Sequence, residues 1–242
     1  MKASDLVAEV QRIVYKADYS GDADYSSTDI LKIINRGRTK IAGGGERQHN
    51  NAKLPPLPDL LTSATVTATT TSNSVAMPAT YQRGLQRVNI TGSDKLKKYT
   101  NLQKMLDRYE FETGTPEAYC IKGKTLWYAP MPLSSTSLTV YFHKYPTDLV
   151  IAAAVVGPPA VAAIDDVPAE IPEHLQSDLL VNFTCREIYK EIESGMDMNN
   201  PDTTKHDAWF QMATTDLERE LGPADGEAEN VEDDYLTEDN IS

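Results

Sequence analysis

Residues 118–125, Ala-Tyr-Cys-Ile-Lys-Gly-Lys-Thr, satisfy the loose phosphate-loop pattern A-x-x-x-x-G-K-T. Lysine and a hydroxyl at that spacing are what holding a nucleotide's phosphates requires. The chemistry also requires that Lys and Thr open a helix whose first amides face the phosphates. Here Leu126-Trp127-Tyr128-Ala129-Pro130 follows, which alternates like a strand and stops at a proline. A hairpin turn at Lys122-Gly123-Lys124 is the favoured reading. Nucleotide binding through Lys124 and Thr125 is the alternative.

No other chemistry-bearing group forms a recognisable constellation. His49, His143, His174 and His206 lie in unrelated surroundings, without HExxH, HxH or Cys/His ligand spacing. His143 sits on a strand near Tyr141 and Tyr145, where a structural role is expected. Asp165 and Asp166 are adjacent carboxylates, but neighbours on an extended chain point apart, and loop solvation accounts for them. No G-x-S-x-G elbow identifies a nucleophile. Cys120 and Cys185 give no disulfide framework and read as buried apolar fillers. Trp127 and Trp209 are expected in cores. No catalytic residue, metal or cofactor is assigned.

The 242 residues carry a formal charge of -13. Eight carboxylates, Asp225, Glu227, Glu229, Glu232, Asp233, Asp234, Glu238 and Asp239, lie in residues 222–242 without Lys or Arg, leaving -13 minus -8, or -5, for the rest. A negative chain has no general affinity for the DNA backbone. One stretch is positive. Arg83, Arg87, Lys95, Lys97, Lys98, Lys104 and Arg108 outnumber Asp94 and Asp107 by seven to two, a net of +5. It is read as a solvated face or a surface for an acidic partner, with DNA phosphate contact the lesser alternative. No leader pattern and no apolar run of about 18 residues is present, so synthesis in the cytoplasm without a membrane span is expected.

These residues must be positioned by an α+β fold. Leu6, Val7, Val10, Ile13 and Val14 recur at helical spacing, with Ser4 the expected N-cap. Ser26–Thr28 signal the cap of a second helix carrying Ile30, Leu31, Ile34 and Ile41, stopped by Gly43-Gly44-Gly45. The two should pair. Pro55, Pro56 and Pro58 mark an extended connection. The Thr/Val-rich residues 61–79 suit a hairpin turning at Ser72-Asn73-Ser74, and residues 81–90 a strand with a bulge at Gly84. Residues 95–109 hold a short helix with Leu102, Met105, Leu106 and Tyr109 on one side.

Residues 114–146 alternate through three runs and read as a β-meander. Tyr119 and Ile121 oppose Ala118, Cys120 and Lys122. Leu126 and Tyr128 oppose Thr125, Trp127 and Ala129, with Pro130 and Pro132 closing an edge. Leu138, Val140 and Phe142 oppose Thr139, Tyr141 and His143. Residues 148–168 have no period and read as a structureless arm, whose apolar Val150, Ile151, Val155, Val156, Val161 and Ile164 point to contact with another subunit. Pro172 to Glu193 is the strongest helix, burying Leu175, Leu179, Leu180, Phe183, Ile188 and Ile192. A last helix, Asp202 to Leu221, carries Trp209, Phe210, Met212, Ala213 and Leu217. The acidic tail beyond holds Val231, Tyr235, Leu236 and Ile241 and is expected to order only on a partner.

The expected organisation is a helical bundle of N-terminal helices (1–47) and C-terminal helices (171–221). An antiparallel meander or small sandwich (48–147) is inserted between them, followed by the arm (148–170), and the acidic tail (222–242) ends the chain. In that order SSTDILKIINRGRTKIA, MPATYQRGLQRV, GTPEAYCIKGKTLWYAPMP, LTVYFHKYP and IPEHLQSDLLVNFTCREIYKEIE resemble the head-to-tail adaptor, or connector, proteins of tailed bacteriophages over residues 1–220. The resemblance implies a non-enzymatic virion protein forming a homo-oligomeric ring, commonly of twelve copies. Such a ring sits between the portal and the tail or nozzle and lets genomic DNA pass without sequence-specific binding. The helices would form its body and the β residues a second layer. The basic stretch, Val155 and Val156 of the arm, and Tyr235 and Leu236 of the tail are the candidate interfaces. The competing classes are a nucleotide-binding or hydrolytic tail-associated enzyme, and a monomeric host- or carbohydrate-binding module using Trp127, Tyr128 and Tyr141.

Overall fold

In a computed structural model of the chain, the described residues are 1–15, 25–44, 54–92, 95–110, 112–152, 164–194 and 201–222. They form a mixed α+β structure in two units, one of Met1–Asp59 with Pro146–Pro223 and one containing Leu60–Tyr145. We refer to them as the helical unit and the β unit.

In the helical unit, α1 (Ala3–Val14) buries Leu6, Val7, Val10 and Val14. Its cap differs from expectation. Ser4 lies inside the helix and its hydroxyl donates to Asp165 at 2.6 Å, while the Asp5 carboxylate accepts the Lys2 N–H at 3.3 Å. Helix α2 (Ser27–Ala42) starts as expected, its Asp29 N–H donating to Ser26 Oγ at 3.2 Å. It buries Ile30, Ile34 and Ile41.

The C-terminal rod runs through α4 (Glu173–Gln176), a π turn (Ser177–Val181) and α5 (Asn182–Ile192). It contacts α1, α2 and α6 (Pro201–Leu221). Residues 179–186 are all buried, so this helix is the centre of the unit and not one wall of it. The π turn was not evident from periodicity. Asn182 supports it, its Nδ2 donating to the Asp178 carbonyl at 2.8 Å. With that amide nitrogen committed as donor, Asn182 Oδ1 is the acceptor facing His206 Nδ1 at 2.9 Å, which ties α6 to the turn. Glu193, 1% exposed, accepts the Asp202 and Thr203 N–H groups at 3.2 and 3.3 Å and the Thr203 hydroxyl at 2.6 Å, capping α6 from the rod's end.

His206 stacks on Tyr189 with centroids 5.5 Å apart. Burial lowers its pKa below 6.5, the Lys205 charge acts the same way, and Asp202 opposes them. The folded state therefore binds this proton less readily than the unfolded chain. Stability is full above the unfolded pKa of about 6.5 and falls as pH drops from there toward the lowered folded value, by up to about 1.4 kcal/mol per pH unit. Urea unfolding at stepped pH, read through Trp209 in a Trp127→Phe background, is expected to show this slope. His206→Gln should flatten it.

The β unit holds two sheets, not one meander. One has the order β1-β7-β3, from β1 (Leu61–Ala68), β3 (Tyr81–Ile90) and β7 (Thr136–Lys144). The other has the order β2-β6-β5-β4, from β2 (Ser74–Ala76), β4 (Lys97–Lys98), β5 (Ala118–Lys122) and β6 (Thr125–Ala129). The expected hairpin over 61–79 does not form, because β1 pairs with β7 (Leu61 opposite His143) and β2 with β6 (Val75 opposite Leu126). β6 is interior to its sheet, and Pro130 and Pro132 come after its end, so they mark no edge.

The side-chain alternation expected from sequence nevertheless holds. Val66, Val88, Leu138, Val140 and Phe142 share a core with Tyr119, Leu126 and Tyr128 from the facing sheet. The buried Tyr128 hydroxyl donates to Ser72 O at 2.8 Å and accepts the Thr69 N–H at 2.9 Å, fastening the crossover between sheets. The opposite face of the second sheet, with Ala118, Cys120 and Ala129, is covered by α3 (Leu102–Arg108) through Met105, Leu102 and Leu106. At Gly84 (φ 65°) the β3–β7 register shifts, and the expected bulge is there.

Candidate functional site

The phosphate-loop pattern lies on a hairpin. Ala118–Lys122 is β5, Gly123 has φ 63°, and Thr125 opens β6, so no helix presents amides to a phosphate. Among the described residues, no group of three or more His, Cys, Asp or Glu could hold a metal ion. Both cysteines are buried, Cys185 with its thiol pushed up to about 12, chiefly by burial and then by Glu9. His143 is also buried, and burial lowers its pKa.

The helical unit instead builds a mount for the arm. β8 (Ile151–Ala152) and β9 (Ile164–Asp165) form an antiparallel pair, so the ends of the stretch read as structureless are ordered; residues 153–163, including Val155 and Val156, lie outside the described residues. Three sets of contacts hold this pair and the residues flanking it. The Leu149 N–H donates to Asn35 Oδ1 at 2.8 Å while Asn35 Nδ2 donates to Leu149 O at 3.2 Å, as a neighbouring strand would. Arg38 donates to Glu170 at 2.6 Å and to Thr147 O at 2.8 Å, with 5% and 8% of the two charged side chains exposed. The Ser4 N–H and hydroxyl donate to Asp165 at 3.0 and 2.6 Å.

Asp165 and Asp166 are therefore structural anchors, correcting the reading of solvated loop acids. Asp166 accepts the Val150 N–H through its carboxylate at 2.8 Å and the Ala3 N–H through its carbonyl at 2.8 Å. Hydrogen bonding to Ser4 holds the Asp165 carboxyl below the usual range. On this fixed base Val150, Ile151, Ile164 and Val167 are 40–47% exposed. Half-exposed apolar side chains close together in sequence on a hydrogen-bonded base suit contact with another molecule. Asn35 and Arg38 were missed by sequence reading, although two polar residues three apart beside the apolar stripe of α2 are a visible irregularity.

A second apolar feature lies between α1, the π turn and α6. Ile13, Val181, Trp209 and Met212 line a groove of ≈ 410 Å³ with Glu9, Asp178 and Asp216 among its lining residues. Trp209, expected in the core, is 45% exposed, and Met212 is 65% exposed. The buried face of α6 is set by His206, Phe210, Ala213 and Leu217, which leaves Trp209 and Met212 off the core side.

In the β unit the basic residues fall on two edge strands and one helix. Arg83 and Arg87 are on β3, Lys97 and Lys98 on β4, and Lys104 and Arg108 on α3, while Lys95 bridges to Asn89 of β3. Arg83 is not on an open face; burial lowers its pKa. Arg87 lies over the Tyr141 ring, its Cζ 4.2 Å from the centroid. Tyr235 and Leu236 lie outside the described residues.

Half-exposed apolar side chains on a hydrogen-bonded base and basic residues on edge strands suit surfaces that meet other molecules. The sequence profile of the SU10 adaptor protein family matches residues 1–234, and the chain belongs to that family. It is accordingly a phage adaptor-type protein, and the family implies a structural, non-enzymatic virion component of the head–tail junction that acts in oligomeric assembly. No curated protein matches it. No helix among the described residues is long and apolar enough to cross a membrane.

Proposed function

We propose that this chain assembles as a closed ring between the portal and the tail or nozzle, with twelve copies as in the adaptors it resembles, and that genomic DNA passes through its lumen. The observation that carries this reading is the arm's mount. Three sets of hydrogen bonds hold β9 and the residues flanking the β8–β9 pair (Thr147, Leu149 and Glu170) to α1 and α2, yet four apolar side chains of that base are 40–47% exposed. Ordering such a base is useful when another molecule completes its burial. Residues 148–168 and 222–242 are the contact arms, the tail directed to the portal. The negative balance of the chain, -13, fits a lumen along which DNA moves without adhering.

Cosedimentation with portal-bearing heads tests the arms. Val155→Asp with Val156→Asp is expected to abolish attachment while leaving the far-ultraviolet circular dichroism unchanged. Undiminished attachment removes the arm from the account, and the same outcome after deletion of residues 223–242 removes the tail. Titration with ATP is expected to show no binding that Lys124→Ala abolishes.

A further inference from the structure

We propose that the groove between α1, the π turn and α6 receives residues 153–163 of a second copy of this chain, an uncharged segment carrying Gly157-Pro158-Pro159. The inference rests on the ring reading and names the surface that its arm meets. Trp209 and Met212, 45% and 65% exposed, stand at this groove beside Ile13 and Val181. Both residue types serve as anchors for partners, Trp through its area and Met through its adaptability. Trp209 is set in place by its neighbours, with the His206 ring edge-on at 5.3 Å between centroids and Lys205 Nζ 4.7 Å from its own centroid. Its indole N–H has no acceptor among the described residues. The π turn that forms one wall is fixed by the hydrogen bonds of Asn182 to Asp178 and His206. A preformed aromatic groove with a free donor suits a Pro-rich segment, whose polyproline II form has unpaired carbonyls and little ordering entropy to lose.

Charge separates the possible occupants. Glu9, Asp178 and Asp216 line the groove, without Lys, Arg or His among its described lining residues. Arg12 and Arg219 approach Glu9 and Asp216 from outside it, at 3.9 and 3.0 Å, and Asp178 has no counterion among the described residues. The apolar residues of the C-terminal tail, Val231, Tyr235, Leu236 and Ile241, are set among eight carboxylates with no base, so like charge disfavours them here. Residues 153–163, Ala-Ala-Val-Val-Gly-Pro-Pro-Ala-Val-Ala-Ala, bring no charge at all.

The geometry of α1 points to a neighbouring copy. Ser4, bonded to Asp165 of the arm's mount, and Ile13, in the groove, are nine positions apart, or about 180° around a helix of 3.6 residues per turn. Mount and groove thus belong to opposite sides of α1. Two dissimilar patches placed so are what a head-to-tail contact uses, and copies joined that way form a ring when the rotation closes. Residues 153–163 leave and return at the paired Ala152 and Ile164. They can therefore project by about five residues, or about 17 Å at about 3.3 Å each, more than the roughly 10–12 Å width of a helix.

The full-length chain carrying Trp127→Phe keeps Trp209 as its one tryptophan. Titration with a capped synthetic peptide of residues 152–163 is expected to change its emission saturably by about 1 mM peptide, the weak end of specific binding. Pro158→Ser with Pro159→Ser in the peptide, or Met212→Glu in the chain, should each weaken binding by about tenfold or more. On portal-bearing heads, a mixture of copies carrying Val156→Cys with copies carrying Met212→Cys is expected to give disulfide-linked pairs on mild oxidation, Cys120 and Cys185 being 2% and 0% exposed and so shielded. An unchanged emission, or a change that Met212→Glu leaves intact, overturns the proposal. Rings seated on heads without linked pairs overturn it too, and leave the ring reading standing. A link formed within single, highly diluted chains carrying both substitutions assigns the groove to the chain's own arm and likewise overturns it. If the heads stay bare the ring reading fails, while the titration still decides whether the groove takes the segment.

Discussion

Arg38→Met is expected to lower the stability of the helical unit by about 3–5 kcal/mol, the range for breaking a buried ion pair from one side. The Arg38 and Glu170 side chains are 5% and 8% exposed, with Nε 2.6 Å from Oε1. Removing the guanidinium strands a carboxylate where water cannot solvate it. It also strips the Thr147 carbonyl and Asn35 Oδ1 of a donor, at 2.8 and 3.2 Å. Coulomb attraction alone would not justify the figure, since it is largely offset by desolvation of both ions; the uncompensated charge left behind does. The double variant Arg38→Met with Glu170→Leu is therefore expected to recover most of the loss. Urea unfolding read through Trp209 measures both, in a Trp127→Phe background. Because the same contact holds the arm's base, the Leu149 amide should exchange faster in the single variant.

Phe183→Ala is expected to have a comparable effect, about 3–5 kcal/mol for an aromatic deleted from a close-packed interior. The ring is 1% exposed, lies 5.6 Å from that of Phe210, and is flanked by the Arg186 guanidinium at 4.9 Å. It also explains a glycine in mid-helix. A Cβ on Gly37 would come within 2.6 Å of Phe183 Cδ1, so α2 can lie against the ring only without a side chain there. Gly37→Ala alone should destabilise, because overpacking of about 1–3 kcal/mol exceeds the roughly 1 kcal/mol gained in helix propensity. In the Phe183→Ala background the same change should become favourable, and that reversal of sign in a double-mutant cycle is the specific signature of the contact.

Local pattern carried much of this fold. Leu138, Val140 and Phe142 alternate with Thr139, Tyr141 and His143, and the two sets do lie on opposite faces of the strand, the first set in the sandwich core and His143 buried on the other side. Period two is a property of a strand by itself, which is why it was legible. Partner choice is not. Leu61 pairs with His143 across the β unit, and nothing near Ser72-Asn73-Ser74 announces that the strands on either side of that turn join different sheets. The same limit governed the candidate site. Ser4 is a good N-cap by type, but its partner Asp165 is 161 residues away, and Asn35 meets Leu149 at a separation of 114. The basic residues were visible as a stretch, whereas their distribution over β3, β4 and α3 depended on pairing. Trp209, a large apolar residue expected in the core by type, lies off it because the rotation of α6 is fixed by Phe210 and Leu217.

The central claim is that the apolar arm base is a surface for neighbouring molecules at the portal vertex. Electron microscopy of the purified chain mixed with portal-bearing heads tests it most directly. The account predicts a closed ring of copies seated at the portal, with residues 148–168 in contact with an adjacent copy or the portal. Heads with bare portals beside dispersed single molecules, whose Val150 and Ile164 remain open to solvent, would contradict it.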